Sequence, residues 1–392
     1  MAATGLRCCS CKGEFAHGLY GAGCPRCGEA LEVAYKDVRR LEDESAAGIW
    51  RFAPLLPVEE ERFRVSLGEG GTPLVRLARV SETVGLPNLY FKNETANPTW
   101  SFKDRFHAVA FSAGRMLGYT KAVTSTTGNH GASAAAYAAA AGMKCVVFCH
   151  PESSRLQRRM IALYGGLPVV LENRKAMLEA LVRDYGYFPA TTMAPLPVAN
   201  AYGVEGYKTL AYEIWQQLGR APDHMVCPIA AGDALYGPWK GFCELRELGL
   251  IERMPAMHGA QAAGCNPYVE AFRAKARRVG VEADPSSMAL SIRDETGGQP
   301  ALQAIYDSGG SAIDATEEEI VAALRLLASA GILVEPASAT SLACARKAGF
   351  GPGETVVCLL TGSGAKWPEA LERIDSSPIL ENPTLQELKA LL

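Results

Sequence analysis

The sequence predicts an α/β fold of two parallel-sheet domains built from strand–helix units, preceded by a small cysteine-rich module. Three observations predict it. From about residue 72 onward, short apolar runs alternate with amphipathic segments, as in a mostly parallel sheet covered on both faces. The 392 residues exceed what one hydrophobic core serves and suit two domains plus a small module. Residues 1–35 are rich in cysteine and glycine and short of large aliphatic side chains.

Along the chain, Asn88–Lys92 reads as a strand and Asp104–Leu117 as a helix. Lys121–Thr124 reads as strand, Asn129–Ala141 as helix and Lys144–Phe148 as strand. Further helices are expected over Ser153–Tyr164, Arg174–Asp184, Glu205–Leu218 and Leu235–Leu248. Strands are expected at His224–Ile229, Met257–Ala262 and Thr355–Leu360. Residues 36–70 connect the module to this pattern, with Pro54, Pro57 and the acidic run Glu59–Glu61. In such folds sites form where loops leave the carboxyl ends of strands.

Composition narrows the function class. Hydrophobic residues at 48% and charged residues at 21% are ordinary for a soluble globular enzyme. A net charge of −3 makes no electrostatic case for nucleic acid or an anionic membrane as partner. The opening MAATGLRCCS lacks the apolar core of a secretory signal. The most apolar stretch, Gly131–Phe148, carries Gly142 and Lys144 and reads as helix then strand, not as a membrane span. The expected compartment is the cytoplasm, where twelve cysteines are thiols or metal ligands and not a disulfide framework.

Cys8-x2-Cys11 and Cys24-x2-Cys27 are paired knuckles twelve residues apart. Each brings two thiolates to one ion, and together they make a closed four-sulfur site of the structural zinc kind. A ribbon without metal is the alternative. Ribbons also bind nucleic acid or protein, but here Arg7, Lys12 and Arg26 are balanced by Glu14, Glu29 and Glu32. That balance favours a structural ribbon over a phosphate-binding one.

Four segments carry chemistry. Asn97-Pro98-Thr99-Trp100-Ser101-Phe102-Lys103-Asp104-Arg105 is a turn running into a helix start. A lysine there feels the positive end of the helix dipole, which favours its neutral, nucleophilic amine. Alone, the segment also fits a surface lysine in a capped turn. Ser125-Thr126-Thr127-Gly128-Asn129-His130 lies between a strand and a helix, where free N–H groups bind anions. Pro228-Ile229-Ala230-Ala231-Gly232-Asp233-Ala234 is a second such turn, small enough for backbone to approach a phosphate. Thr361-Gly362-Ser363-Gly364 follows the apolar strand Val356–Leu360.

Together these segments resemble, in order, the motifs of threonine synthases and their relatives among fold-type II pyridoxal 5'-phosphate enzymes (the tryptophan synthase β-like group). The likeness runs from about Gly68 to Pro368 and includes Gly70-Gly71-Thr72-Pro73-Leu74, Glu205-Gly206-Tyr207-Lys208-Thr209 and Glu335-Pro336-Ala337-Ser338-Ala339. It implies that Lys103 carries the cofactor as a Schiff base and shuttles the substrate Cα proton. It implies that Asn129 meets the cofactor's ring oxygen, that Ala230, Ala231, Gly232, Asp233 and Ala234 cradle its phosphate, and that Thr361 meets the pyridine nitrogen. Thr126, Thr127 and Gly128 then hold the substrate carboxylate, with Ser101 and Trp100 beside the substrate. The run Ala230-Ala231-Gly232-Asp233-Ala234 replaces the usual Gly-Asn-Ala-Gly-Asn, so the Asp233 carboxylate is expected to turn from the phosphate or accept backbone bonds. His130 is expected to be structural or merely polar. The resemblance also implies a large cofactor domain from 36–95 and 212–392, a small substrate-side domain over 96–211, and a homodimer. Similar ribbons precede some members.

Two departures bear on the substrate. Gly203 stands where threonine synthases carry an arginine for the substrate phosphate, and losing that guanidinium removes the best bidentate phosphate ligand a protein has. Trp100 stands where glycine is usual and is expected to fill space near the lysine. The function expected is elimination or replacement at the β or γ carbon of an amino acid, on a substrate other than O-phosphohomoserine. The alternatives are threonine synthesis proper, a serine/threonine-type ammonia-lyase, a β-replacement synthase, and a non-catalytic protein whose ribbon binds a partner. An arginine installed at 203 is expected to raise phosphohomoserine activity.

Overall fold

The computed structural model describes residues 3–36, 40–43, 46–374, 381 and 384–391. The front module is an antiparallel sheet of β1 (Ala3–Cys8), β2 (Glu14–Phe15) and β3 (Leu31–Tyr35), in order β2-β1-β3. The chain continues through β4 (Leu74–Val75), α1 (Ala78–Val84), β5 (Leu89–Asn93), α2 (Lys103–Met116), β6 (Lys121–Thr126), α3 (Asn129–Ala140) and β7 (Lys144–Cys149). Next come α4 (Arg155–Leu163), β8 (Leu167–Val170), α5 (Arg174–Tyr185), β9 (Phe188–Pro189), α6 (Val204–Leu218), β10 (His224–Pro228), α7 (Asp233–Glu247) and β11 (Ala256–Ala262). The last part holds α8 (Pro267–Arg273), α9 (Gln299–Asp307), β12 (Ser311–Ala315), α10 (Glu317–Ser329), α11 (Pro336–Lys347), β13 (Val356–Leu360), α12 (Pro368–Ile374) and α13 (Leu385–Leu391).

Two larger sheets result. One has the order β12-β11-β10-β13-β5-β4 and is parallel except for the edge pair β4–β5. The other, β8-β7-β6-β9, is parallel throughout. Parallel neighbours need crossover connections, and helices supply them. Strand β13, reading VVCLL, is buried at every position, as befits a strand between β10 and β5 with helices on both faces. The loops after β5, β6, β10 and β13 all leave carboxyl ends of strands, which gathers the motif segments between the two sheets. No helix among the described residues is long and apolar enough to cross a membrane.

A buried charge network ties helix α2 to the larger sheet. Arg105 on α2 grips Glu94, just past β5, from Nε (2.7 Å) and Nη2 (2.9 Å). The same guanidinium grips Glu213 on α6 from Nη1 and Nη2, both at 2.7 Å. Lys92 on β5 donates to Glu213 Oε2 at 2.6 Å and to the Thr72 carbonyl at 2.7 Å. Burial works to raise the Glu213 pKa, but Arg105 and Lys92 outweigh it and hold the carboxyl at about 2. Such an arrangement is costly to break because removing one partner strands the others without water. Glu213→Gln should therefore cost about 3–5 kcal/mol in urea denaturation. Folded Glu213 keeps its charge far below the pH at which the unfolded chain takes up the proton. Its contribution to stability is thus whole above about pH 5 and disappears as pH falls towards 2. The variant's stability should lose that acid-dependent limb, and an unchanged limb would place the charge elsewhere.

Candidate active site

Lys103 is the first residue of α2, and its position is set by the turn before it. Asp104 accepts hydrogen bonds from the Thr99 N–H and hydroxyl and from Ser133 Oγ (2.6 Å), closing the turn over the helix start. Burial raises the Asp104 pKa to about 6 against those bonds. The turn is also stitched to the loop after β13. Phe102 N–H donates to the Thr361 carbonyl (2.9 Å), Ser363 N–H to the Trp100 carbonyl (3.0 Å), and Lys366 Nζ to the Thr99 carbonyl (2.7 Å). Segments 260 residues apart in sequence thus share one wall.

A cavity of about 700 Å³ opens beside this wall, within the size range of small-molecule sites. Lys103, Thr126, Thr127, Asn129, Thr361 and Ala230 to Ala234 all line it. Gly128 does not; its N–H donates to Thr126 Oγ1 (2.8 Å), and a Cβ there would strike Gln157 Oε1. Ser101 is buried in a bridge to Gly362, outside the cavity wall.

Trp100 departs from expectation. Its side chain is 47% exposed and is absent from the cavity wall. The cause is backbone conformation: Trp100 has φ 60°, a left-handed geometry in which glycine is at ease and which here turns the indole to solvent.

Gly203 departs as well. It is a buried residue at the start of α6, and an ideal Cβ on it would lie 2.2–2.4 Å from the ring atoms of Phe106. Phe106 occupies the space that any side chain at 203 needs, so an arginine cannot simply be installed there.

Lys103 Nζ makes no hydrogen bond among the described residues and sits 4.5 Å from the centroid of the Phe102 ring. Burial lowers its pKa, against the pull of Asp233, Asp294 and Glu335. An amine so held reaches its neutral, nucleophilic form at lower pH than an exposed lysine does. The main-chain N–H groups of Ala230, Ala231, Gly232, Asp233 and Ala234 likewise donate to nothing among the described residues. Those of Asn129 and His130, in the first turn of α3, are also unused. Gly232 has φ 108°, and a Cβ on it would lie 2.3 Å from Tyr268 Oη, so backbone alone forms this turn. Asp233 accepts from Met193 N–H (2.9 Å), and burial raises its pKa to about 6. A free amine, two sets of unused N–H donors and a small-residue turn fit a phosphorylated aldehyde cofactor.

Glu335 belongs to a motif quoted from the sequence, but nothing in the sequence assigned it a role in the site. Buried at the start of α11, it accepts from Asn129 Nδ2 (2.7 Å), Trp367 Nε1 (2.8 Å), Ser291 Oγ (3.2 Å) and Thr361 Oγ1 (3.2 Å). It thereby orients both side chains assigned to the cofactor ring. His130 donates from Nε2 to the Ala190 carbonyl (2.8 Å), and burial, with Lys103 nearby, pushes its pKa down to about 3. It is neutral at physiological pH.

In the front module the sulfurs of Cys8, Cys11, Cys24 and Cys27 all lie within 4.8 Å of one another. Cys8 and Cys27 are 3.5 Å apart, and Cys11 and Cys24 are 3.6 Å apart. Four thiolates around one zinc at about 2.3 Å stand roughly 3.8 Å apart, so donor set and spacing fit a tetrahedral ion. Cys9 lies apart from them, 3.9 Å from Tyr236 Oη.

Residues 65–362 match the family described as pyridoxal-phosphate dependent enzyme. The chain is 37% identical over 387 residues to a threonine synthase of Methanocaldococcus jannaschii, covering 93% of this chain and 94% of that one. It is 35% identical over 398 residues to a threonine synthase of Methanosarcina acetivorans, covering 98% and 97%. Among solved structures, the processed threonine deaminase isoform 2 from Solanum lycopersicum aligns with a TM-score of 0.67 at 16% identity, covering 78% of this chain and 87% of that one. Maize serine racemase aligns with a TM-score of 0.65 at 19% identity, covering 77% and 92%. At such identities these two share the fold. With a family match over most of its length and a half-buried, unpaired lysine in the cavity, the chain belongs to the pyridoxal-phosphate dependent enzymes, as a lyase or synthase of threonine-synthase-like type.

Proposed function

We propose that this enzyme eliminates or replaces a group at the β or γ carbon of an amino acid, and that its substrate is less anionic than O-phosphohomoserine. The observation that carries the reaction class is the unpaired amine of Lys103 in a cavity rimmed by unused N–H donors. Lys103 would hold the cofactor, with its phosphate on the 230–234 backbone and its ring between Asn129 and Thr361. Bound pyridoxal phosphate supplies the electron sink that loosens bonds at the substrate Cα. Lys103 then takes the Cα proton and returns it at the end of the reaction. The N–H groups at the start of α3 bind the substrate carboxylate and fix the Cα–H bond towards that amine. Thr361 is a neutral hydroxyl, which leaves the ring a weaker sink than a carboxylate partner would and suits elimination over transamination.

The lower substrate charge rests on the resemblance, in which position 203 carries an arginine, together with the Phe106 ring that here fills the space of any side chain at 203. The second reading, threonine synthesis proper, is favoured by what the relatives of 35–37% identity are called. The four cysteines would hold a structural zinc, and the protein is proposed to act as a homodimer in the cytoplasm.

Purified enzyme should show a visible absorption band that survives dialysis, and Lys103→Ala should abolish it. Because burial lowers the amine's pKa, cofactor uptake by the apoenzyme should keep its plateau well below the pH of about 10 at which an exposed lysine deprotonates. Uptake that follows the ordinary lysine titration would put the amine in water. Gly203→Arg alone should lower the melting temperature, whereas Gly203→Arg with Phe106→Gly should recover much of it. A single variant as stable as wild type would refute the steric account, and efficient phosphohomoserine turnover by wild type would refute the substrate assignment. Elemental analysis should find about one zinc per chain, lost in Cys24→Ser; no zinc in freshly purified protein would leave the ribbon metal-free.

A further inference from the structure

We propose that the four-cysteine ribbon braces the phosphate cradle, and that Glu32 and Tyr236 are positioning residues through which it sets cofactor affinity. The proposal rests on assigning the N–H groups of 230–234 to the cofactor phosphate, and it gives the ribbon a role in the same site.

Helix α7 begins at the cradle, and Tyr236 and Lys240, four residues apart, share one of its faces. That face meets the ribbon. Tyr236 Oη donates to Glu32 Oε2 at 2.8 Å. Lys240 Nζ donates to the Val33 carbonyl and to Glu205 Oε1 of α6, both at 2.7 Å, and lies 3.4 Å from Glu32 Oε2. Tyr35 of β3 donates to the other Glu205 oxygen at 2.7 Å, and Arg7 of β1 donates to Glu32 Oε1 at 3.0 Å. On its other side α7 lies tight against α6. A Cβ on Gly237 would stand 2.4 Å from Tyr207 Cβ, and one on Gly241 would stand 2.5 Å from the Lys208 carbonyl. The helix is thus wedged between α6 and the ribbon, with the cradle one turn above Tyr236.

The ribbon has no separate core. Leu6, Leu31 and Val33 belong to the same buried cluster as Tyr202, Tyr207 and Ala234, and Ala234 is the last residue of the cradle. It also supports a second wall. Gly18 N–H donates to Tyr202 Oη (3.0 Å), and a Cβ on Gly21 would meet Val198 Cγ1 at 3.6 Å. Pro197 and Val198 line the cavity. Apolar contact alone would let the ribbon slide; directional bonds to buried charges fix one seating.

The test compares binding of pyridoxal phosphate and of pyridoxal, which lacks the phosphate, to full-length wild type, Glu32→Gln and Tyr236→Phe, with metal content and circular dichroism checked for each. Both variants conserve volume. The expected result is a loss of about tenfold in pyridoxal phosphate affinity, the scale of one hydrogen bond to a charged group, with pyridoxal affinity unchanged. Equal losses for both ligands would mean general destabilisation, and no loss for either would mean an uncoupled ribbon; each overturns the proposal. If wild type binds pyridoxal as tightly as its phosphate ester, the cradle assignment itself fails and the brace falls with it.

Discussion

The Arg105 guanidinium, shared between Glu94 and Glu213 with no water in reach, is the interaction on which the rest depends. It lies two residues beyond Lys103, and its partners come from the end of β5 and from α6. A reactive amine must be placed to within a fraction of an ångström, yet it cannot anchor itself, because any bond it made would have to be broken for catalysis. The anchor is therefore displaced along the helix to a side chain that never titrates. Arg105 has five donors in a rigid plane, and fork-to-fork pairing with two carboxylates leaves it one position. Lys103 inherits that precision through one turn of backbone.

Electrostatics around the cavity follow from where helices begin. Lys103, Asn129, Arg174, Asp233 and Glu335 stand at the starts of α2, α3, α5, α7 and α11, and all line the cavity. Five helix N-termini facing one space make it favourable to anions and unfavourable to an ammonium. Burial and this field both favour the neutral form of the Lys103 amine, while Asp233, Asp294 and Glu335 act against them. Two of those acids are already engaged. Asp233 is held by Met193 N–H, and Glu335 by four side chains, so neither pairs with the lysine.

What the sequence disclosed depended on how local the cause was. The strand β6, the helix α3 and the strand β7 were legible to within a residue or two, because apolar period and flanking glycines are local causes. Between Ala262 and Thr355 no element was assigned, although Thr316 with Glu319 forms a capping box and Pro336 opens α11. β12, reading SAIDA, is short and half polar, and only its pairing with β11 makes it a strand. Lys103, Thr126, Thr127, Asn129, Thr361 and the 230–234 turn were singled out from turns before helices, whereas Arg174, Lys175, Ser291, Arg293 and Asp294, which also line the cavity, lie in no such motif. The role of Glu335 was missed because it lies in partners at positions 129, 291, 361 and 367, and nothing local marks them. Trp100 was misplaced, and the room at Gly203 misjudged, for the opposite reason. Their chemistry was read from residue type, but a positive φ and the Phe106 ring decide where those positions point.

Positions 100 and 203 and the 230–234 turn differ for a physical reason. A turn made of main-chain N–H groups tolerates almost any small side chain, so the run Ala230-Ala231-Gly232-Asp233-Ala234 in place of the usual one leaves its donors unused and available. A site made of side chains has no such tolerance: at position 203 a Cβ already meets the Phe106 ring, so no longer side chain fits there without Phe106 giving way. Divergence within a fold of this kind should therefore accumulate on the substrate side while the cofactor side keeps its geometry. Family membership therefore follows from the sequence more readily than the identity of the amino acid.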